Sequence, residues 1–160
     1  MFHSLQVASL LLVSVAMALS LAHALELPGK LRLGKDAYLA IQSIYYPGFT
    51  IGGASEPLSI LATFALLILT SSELAFRLTL AALLALAAVH AVFWLVTQPV
   101  NKFWLAGENL SGVSASFFGR VTASRHDWTA LRDRWEYSHV VRAILSVAAF
   151  VLLVIAVTFD

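Results

Sequence analysis

Two short spacings carry the first chemical signal. His23 and Glu26 stand three residues apart, and so do Glu136 and His139. Residues three apart share a helix face, so each pair can present an imidazole and a carboxylate together. Brought to one place, the four make a suitable first shell for a single divalent first-row metal ion. The spacing therefore predicts a mononuclear metal site from His23, Glu26, Glu136 and His139, or else no metal at all. In the latter case Glu26 with Lys30 and Glu136 with Arg132, each four apart, form plain ion pairs in a hydrogen-bonded network. Di-iron carboxylate bundles add two further glutamates to two Glu-x-x-His motifs. The remaining glutamates here read as lying on the wrong side or in loops, which leaves a di-metal site short of ligands.

A second signal lies along one stretch. Trp128, Arg132, Trp135, His139 and Arg142 recur at spacings of four and three, with Glu136 beside them. They form a single stripe. It reads either as a solvated membrane-surface face with anchoring tryptophans and a snorkelling arginine, or as the wall of a site. His90 stands apart within an apolar run. It is either a functional intramembrane group, because its desolvation is costly, or a neutral histidine bonded to a serine or carbonyl of a neighbouring helix.

The elements that must position these residues follow from composition. Of 160 residues, 60% are hydrophobic and 12% charged, against roughly 25% charged in soluble domains. A net charge of +1 offers no basic excess for nucleic-acid phosphates. The chain has no cysteine, which excludes disulfide frameworks, thiolate nucleophiles, Cys-ligated zinc, iron–sulfur clusters and c-type haem. A spanning helix needs roughly 20 mostly apolar residues, and four stretches qualify, at about 5–25, 57–72, 78–96 and 140–159. The fold class is thus an all-α integral membrane protein, one domain, an antiparallel four-helix bundle. The second span is short and must recruit flanking residues. Leu27-Pro28-Gly29 reads as the stop of the first span and Pro99 as the end of the third. Residues 36–46, carrying Tyr38, Tyr45 and Tyr46, read as an interfacial helix in the first loop, ended by Pro47-Gly48 and Gly52-Gly53. The stretch from Asn101 to Gly119 reads as a polar, Ser/Gly-rich loop. Asp127 reads as the cap of a helix that runs from Trp128 into the fourth span and projects its first three turns beyond the membrane.

Loop charge sets the orientation. The first connection holds Lys30, Arg32 and Lys35, the second only Arg77, and the third Lys102, Arg120, Arg125, Arg132 and Arg134. The two basic loops are expected in the cytoplasm, with both termini outside. Ala22-His23-Ala24 has the form of a signal-peptidase site, but no Lys or Arg precedes the apolar run, so the first span reads as retained. In this topology spans one, three and four deliver His23 and Glu26, Trp94 and Asn101, and Glu136 and His139 to one end of the bundle.

The run His23-Ala-Leu-Glu26-Leu-Pro28-Gly-Lys30, then Tyr38 and Gln42, then Pro99-Val-Asn101, then Trp128 and Arg132-Asp-Arg-Trp135-Glu136-Tyr-Ser-His139-Val-Val-Arg142 resembles a family of small four-span membrane proteins. Most members have no known function, and the family includes anthrone-oxygenase-like proteins. The resemblance covers nearly the whole chain. It implies four antiparallel helices and cofactor-independent oxidation of a lipophilic phenolic or quinone-like molecule. On that basis His139 or His23 would be the base that generates a carbanion for reaction with dioxygen. Asn101, Arg132 and Arg142 would steady the anion. Trp94 and Trp135 would pack against the aromatic ring, and Tyr38 and Gln42 would complete the substrate site. Where the anthrone enzymes often carry an Asn, this chain has Ser138-His139.

Three functions compete at this level. One is a membrane oxidoreductase acting at the cytoplasmic interface. Another is a non-enzymatic accessory or scaffold subunit, whose stripe of Ala81, Ala82, Ala85 and Ala88 would pack on a partner protein or a second copy. The last is a small transporter with His90 on its path.

Overall fold

The computed structural model describes residues 2–104 and 127–159. Among them every regular element is helical. α1 is Phe2–Lys30, α2 Lys35–Gln42, α3 Gly48–Gly53, α4 Ser55–Leu69, α5 Glu73–Val92, α6 Gln98–Trp104 and α7 Trp128–Val157. A 3-10 turn, Ser43–Tyr45, follows α2, and a π turn, Phe93–Thr97, joins α5 to α6. Four helical stretches are long and apolar enough to cross a membrane: α1, α3 with α4, α5 with α6, and α7. Both α1 and α5 pack against α4 and against α7. The four stand in a ring, with α1 and α5 on one diagonal.

Side-chain distribution shows which solvent this ring is built for. The buried faces carry Ser9, Ser20, Ser59, Thr63, Thr79 and Ser146, while Leu11, Leu61, Leu84 and Ile144 point outward. A soluble domain places these types the other way round. In lipid the outside is as apolar as leucine, so helices instead associate through small and hydroxylated residues that allow close approach. The hydroxyls of Ser20, Ser59 and Ser146 each donate to a carbonyl of their own preceding turn, so none needs water. The buried positions of α1 (Gln6, Ser9, Val13, Ala16, Ser20 and His23) advance by alternating threes and fours, the period of helices that stay in contact over their length. The protein is a multi-pass integral membrane bundle. Ala82 lies in its core with Val13, Leu66, Leu86, Ala149 and Leu153, so the α5 alanine stripe is used at least partly inside the bundle.

Three expected boundaries move. Pro28 does not stop α1, which continues to Lys30. Near a helix end proline forfeits just one backbone bond, and the chain then leaves through short bonds from Arg32 to Gly29 and from Leu33 to Lys30. Pro99 does not end the third span either. It sits in the first turn of α6, where a missing N–H is tolerated. The π turn before it absorbs the ring, and the Leu95 carbonyl that Pro99 cannot satisfy accepts from the Arg134 guanidinium at 3.3 Å. The second span begins before 57 and ends at Leu69, taking in α3 as its first turns. Gly52 therefore does not terminate a helix. It lets α3 lie against α1: a Cβ there would fall 2.8 Å from Leu19 Cδ1.

Asp127 caps α7 as its sequence suggests, accepting from the Thr129 amide at 3.0 Å and hydroxyl at 2.7 Å. Those bonds hold its carboxyl below the usual carboxylate range. The interfacial helix is present as α2 and its 3-10 turn. It packs Tyr38 against Trp128, so the first turns of α7 are covered instead of forming a free solvated face. Residues 105–126, with Arg120 and Arg125, lie outside the described residues.

A bulkier side chain at position 52 must push Leu19 aside. Gly52→Val is expected to cost about 1–3 kcal/mol, whereas Gly53, with open space around it, should accept Ala without loss. Thermal unfolding in detergent measures both.

Candidate active site

All four spans converge on one cavity of about 420 Å³ at the end of the bundle that carries the first and third connections. Its walls are mainly aromatic: Tyr45, Tyr46, Phe49, Phe93, Trp94, Trp104 and Trp135. Its polar groups are His23 from α1, Glu56 from α4, His90 from α5, Asn101 from α6, and His139 and Arg142 from α7. That volume suits one small organic molecule.

The two expected Glu/His pairs do meet, but around an ammonium group. Lys30, four residues beyond Glu26, folds back along α1 because the helix runs through Pro28. Its Nζ lies 2.9 Å from Glu26 Oε2, 3.6 Å from Glu136 Oε2 and 3.3 Å from His23 Nδ1. The residue is 3% exposed. It also lies over the rings of Tyr45 and Trp135. A cation already fills the centre of the proposed ligand set, so His23, Glu26, Glu136 and His139 do not fit a metal shell. No group of three metal-binding side chains occurs among the described residues. The Glu26–Lys30 pair forms as its spacing suggests. The Glu136–Arg132 pair does not, because Arg132 turns to Asp133 at 2.7 Å and stacks on Trp128.

Glu136 is fully buried and accepts from the Tyr38 hydroxyl at 2.9 Å. The Tyr45 hydroxyl donates to Glu26 at 2.6 Å. Burial, then the neighbouring glutamate, pushes both phenols above their usual range, so each remains a donor at neutral pH. These bonds tie α2 and its 3-10 turn down as a cover over the ends of α1 and α7.

The imidazoles of His23 and His139 stack with centroids 4.1 Å apart. Trp135 packs edge-on against both. Each ring has a cation at Nδ1: Lys30 for His23, and Arg142 Nη1 for His139 at 3.3 Å. Lysine held by two carboxylates is an ammonium, and guanidinium has no acceptor. Each Nδ1 must therefore accept, which leaves the proton of the neutral ring on Nε2. Among the described residues the His139 Nε2 is buried without a partner. These rings are built to donate, which corrects their expected role as bases.

A second network was not legible as such. Glu56, 5% exposed in the first turn of α4, accepts from Arg142 Nη2 at 2.6 Å and lies 2.8 Å from His90 Nδ1. The Trp94 indole donates to His90 Nε2 at 2.9 Å. His90 thus does not stand apart, and Glu56 is neither in a loop nor on the wrong side. Span-end arithmetic alone would have found Glu56, because span two starts at the end where spans one and three finish.

The other candidates divide. Asn101 lines the cavity and accepts from the Trp135 indole at 2.6 Å. Trp94, Trp135 and Gln42 line it too. Tyr38, Glu136 and Glu26 stand behind the wall, and Arg132 lies away from the cavity, so it is not positioned to steady a bound anion.

Lys30→Met strands the buried Glu136 carboxylate and is expected to cost about 3–5 kcal/mol, while adding Glu136→Gln should recover most of it. Unfolding midpoints of the single and double variants in detergent check this. No protein-family model, curated protein or solved structure matches the chain.

Proposed function

We propose that the protein is a membrane oxidoreductase of the anthrone-oxygenase kind. It takes a lipophilic aromatic bearing a phenolic or quinone-like oxygen into the cavity and stabilises its anion for reaction with dioxygen. The observation that carries this reading is the cation-backed imidazole pair. His139 lines the aromatic-walled cavity, has Arg142 beside its Nδ1, and keeps a buried Nε2 with no partner among the described residues. Preorganised donors in a water-poor site stabilise developing oxyanion charge far better than water does.

The tryptophan, tyrosine and phenylalanine rings hold the flat body of the ligand by stacking. His23 and His139 donate to its oxygen, with the Lys30 and Arg142 cations beside their Nδ1 atoms. A methylene carbon conjugated to that oxygen loses a proton, and the carbanion attacks dioxygen. The carbon loses two hydrogens and gains one oxygen atom, and the second oxygen atom leaves as water. The cavity lies at the end carrying the basic loops, which supports a reaction at the cytoplasmic interface. The scaffold alternative gains little support, since an alanine of its contact stripe is spent in the core.

Purified protein with anthrone as probe should consume one dioxygen per anthrone converted, above the detergent blank. His139→Leu should lower kcat about 10²-fold. A rate equal to the blank, with no quenching of tryptophan fluorescence by anthrone, would overturn the assignment. Orientation has its own test, made clean by the lack of native cysteine. Lys35→Cys should be shielded from an impermeant thiol reagent added outside, and Ser71→Cys should react.

A further inference from the structure

We infer that His90 and Glu56 form a carboxylate–imidazole dyad whose Nε2 is the proton acceptor of this cavity, covered by the Trp94 indole until an acidic aromatic ligand displaces it. The inference rests on the proposed reading of the cavity as a site for such ligands.

Three histidines line the cavity, and their neighbours separate them. A proton added to His23 or His139 would sit beside Lys30 or Arg142, charge against like charge in a poorly solvated place. His90 is arranged in the opposite sense. Its Nδ1 donates to Glu56 Oε1 at 2.8 Å, so the ring's lone pair lies on Nε2. A carboxylate on Nδ1 fixes the tautomer and stabilises the imidazolium that forms when Nε2 takes a proton. Glu56 is itself paired with the Arg142 guanidinium at 2.6 Å.

The charged groups facing His90 are Glu56 from α4 and, through it, Arg142 from α7. Glu56 and Arg142 are paired with each other at 2.6 Å. Transfer of a proton from the ligand to Nε2 leaves an imidazolium on one wall and a ligand anion within the cavity. The net charge of the cavity is unchanged.

Trp94 supplies the cover. It lies one turn beyond His90, within the π turn, and its indole N–H occupies Nε2 at 2.9 Å. The side chain is also a cavity wall and 46% exposed. On displacement of the indole, an incoming hydroxyl or activated C–H takes its place at Nε2.

The test uses 7-hydroxycoumarin, a flat phenol whose phenolate has its own absorption band, with the full chain in mild detergent. Bound to the wild type, it is expected to ionise at a proton concentration about tenfold or more above that for the free dye. His90→Phe should bind it within about threefold of wild type by tryptophan quenching but lose that shift, since its ring fills the space without a proton acceptor. Trp94→Phe, with Nε2 uncovered, should raise the phenolate fraction several-fold at a given pH. It carries the test alone if His90→Phe does not fold. Binding without ionisation in the wild type, equal ionisation in His90→Phe, or an unchanged phenolate fraction in Trp94→Phe overturns the dyad and leaves the cavity's binding role standing. No binding to the wild type overturns the underlying reading together with the dyad.

Discussion

A charge taken out of water must carry its counter-charge with it, and this bundle is organised around that requirement. Lys30 is set between Glu26 and Glu136, and Arg142 against Glu56. The first network joins α1 to α7, and the second joins α4 to α7 and reaches α5 through His90. Buried pairs of this kind add little net stability over a well-packed apolar core, but breaking one is expensive. Their effect is to fix which helix faces meet, and at what height. Once those registers are set, the aromatic rings between the pairs have nowhere to go but around a shared space.

The rest of the bundle makes such precision possible. Serines, threonines and alanines along the contact faces let backbones approach closely, and the hydroxyls close their hydrogen bonds within their own helices. Away from the cavity the Ser9 and Thr63 hydroxyls are buried without a partner among the described residues. The charged and imidazole groups gather at one end, where His139 Nε2 is buried without a partner among the described residues. A bilayer-facing exterior of leucine, isoleucine and valine leaves the interior as the place where polar chemistry can be held. The division between a plain half and a reactive half follows from lipid on the outside as much as from the site residues themselves.

The four spans, their class and the convergence of His23, Asn101 and His139 could be read from sequence, because apolar run length and helical spacing are local properties. The Pro28 and Pro99 boundaries could not. Proline near a helix terminus or beside a π turn is accommodated by partners far away in sequence, such as Arg134 for the Leu95 carbonyl. The metal expectation failed for a related reason. Spacing placed the four ligands correctly relative to one another along their helices, but it could not show that Lys30, just past a proline, would return to sit among them. Glu56 was hidden by its position at the edge of an apolar run. There a carboxylate looks like a boundary marker until its cross-bundle partner is known.

The distance along the chain between Glu56 and its partners has a consequence for biogenesis. His90 follows it by 34 residues and Arg142 by 86. At a synthesis rate of about 5–20 residues per second, Glu56 is made roughly 4–17 s before its guanidinium partner. In that interval the α4–α5 hairpin already supplies His90, so the carboxylate has a provisional partner within its own hairpin. Arrival of the last helix then adds the ion pair that closes the ring. The final span thus acts as the latch of assembly, since it alone brings the guanidinium that pairs with Glu56.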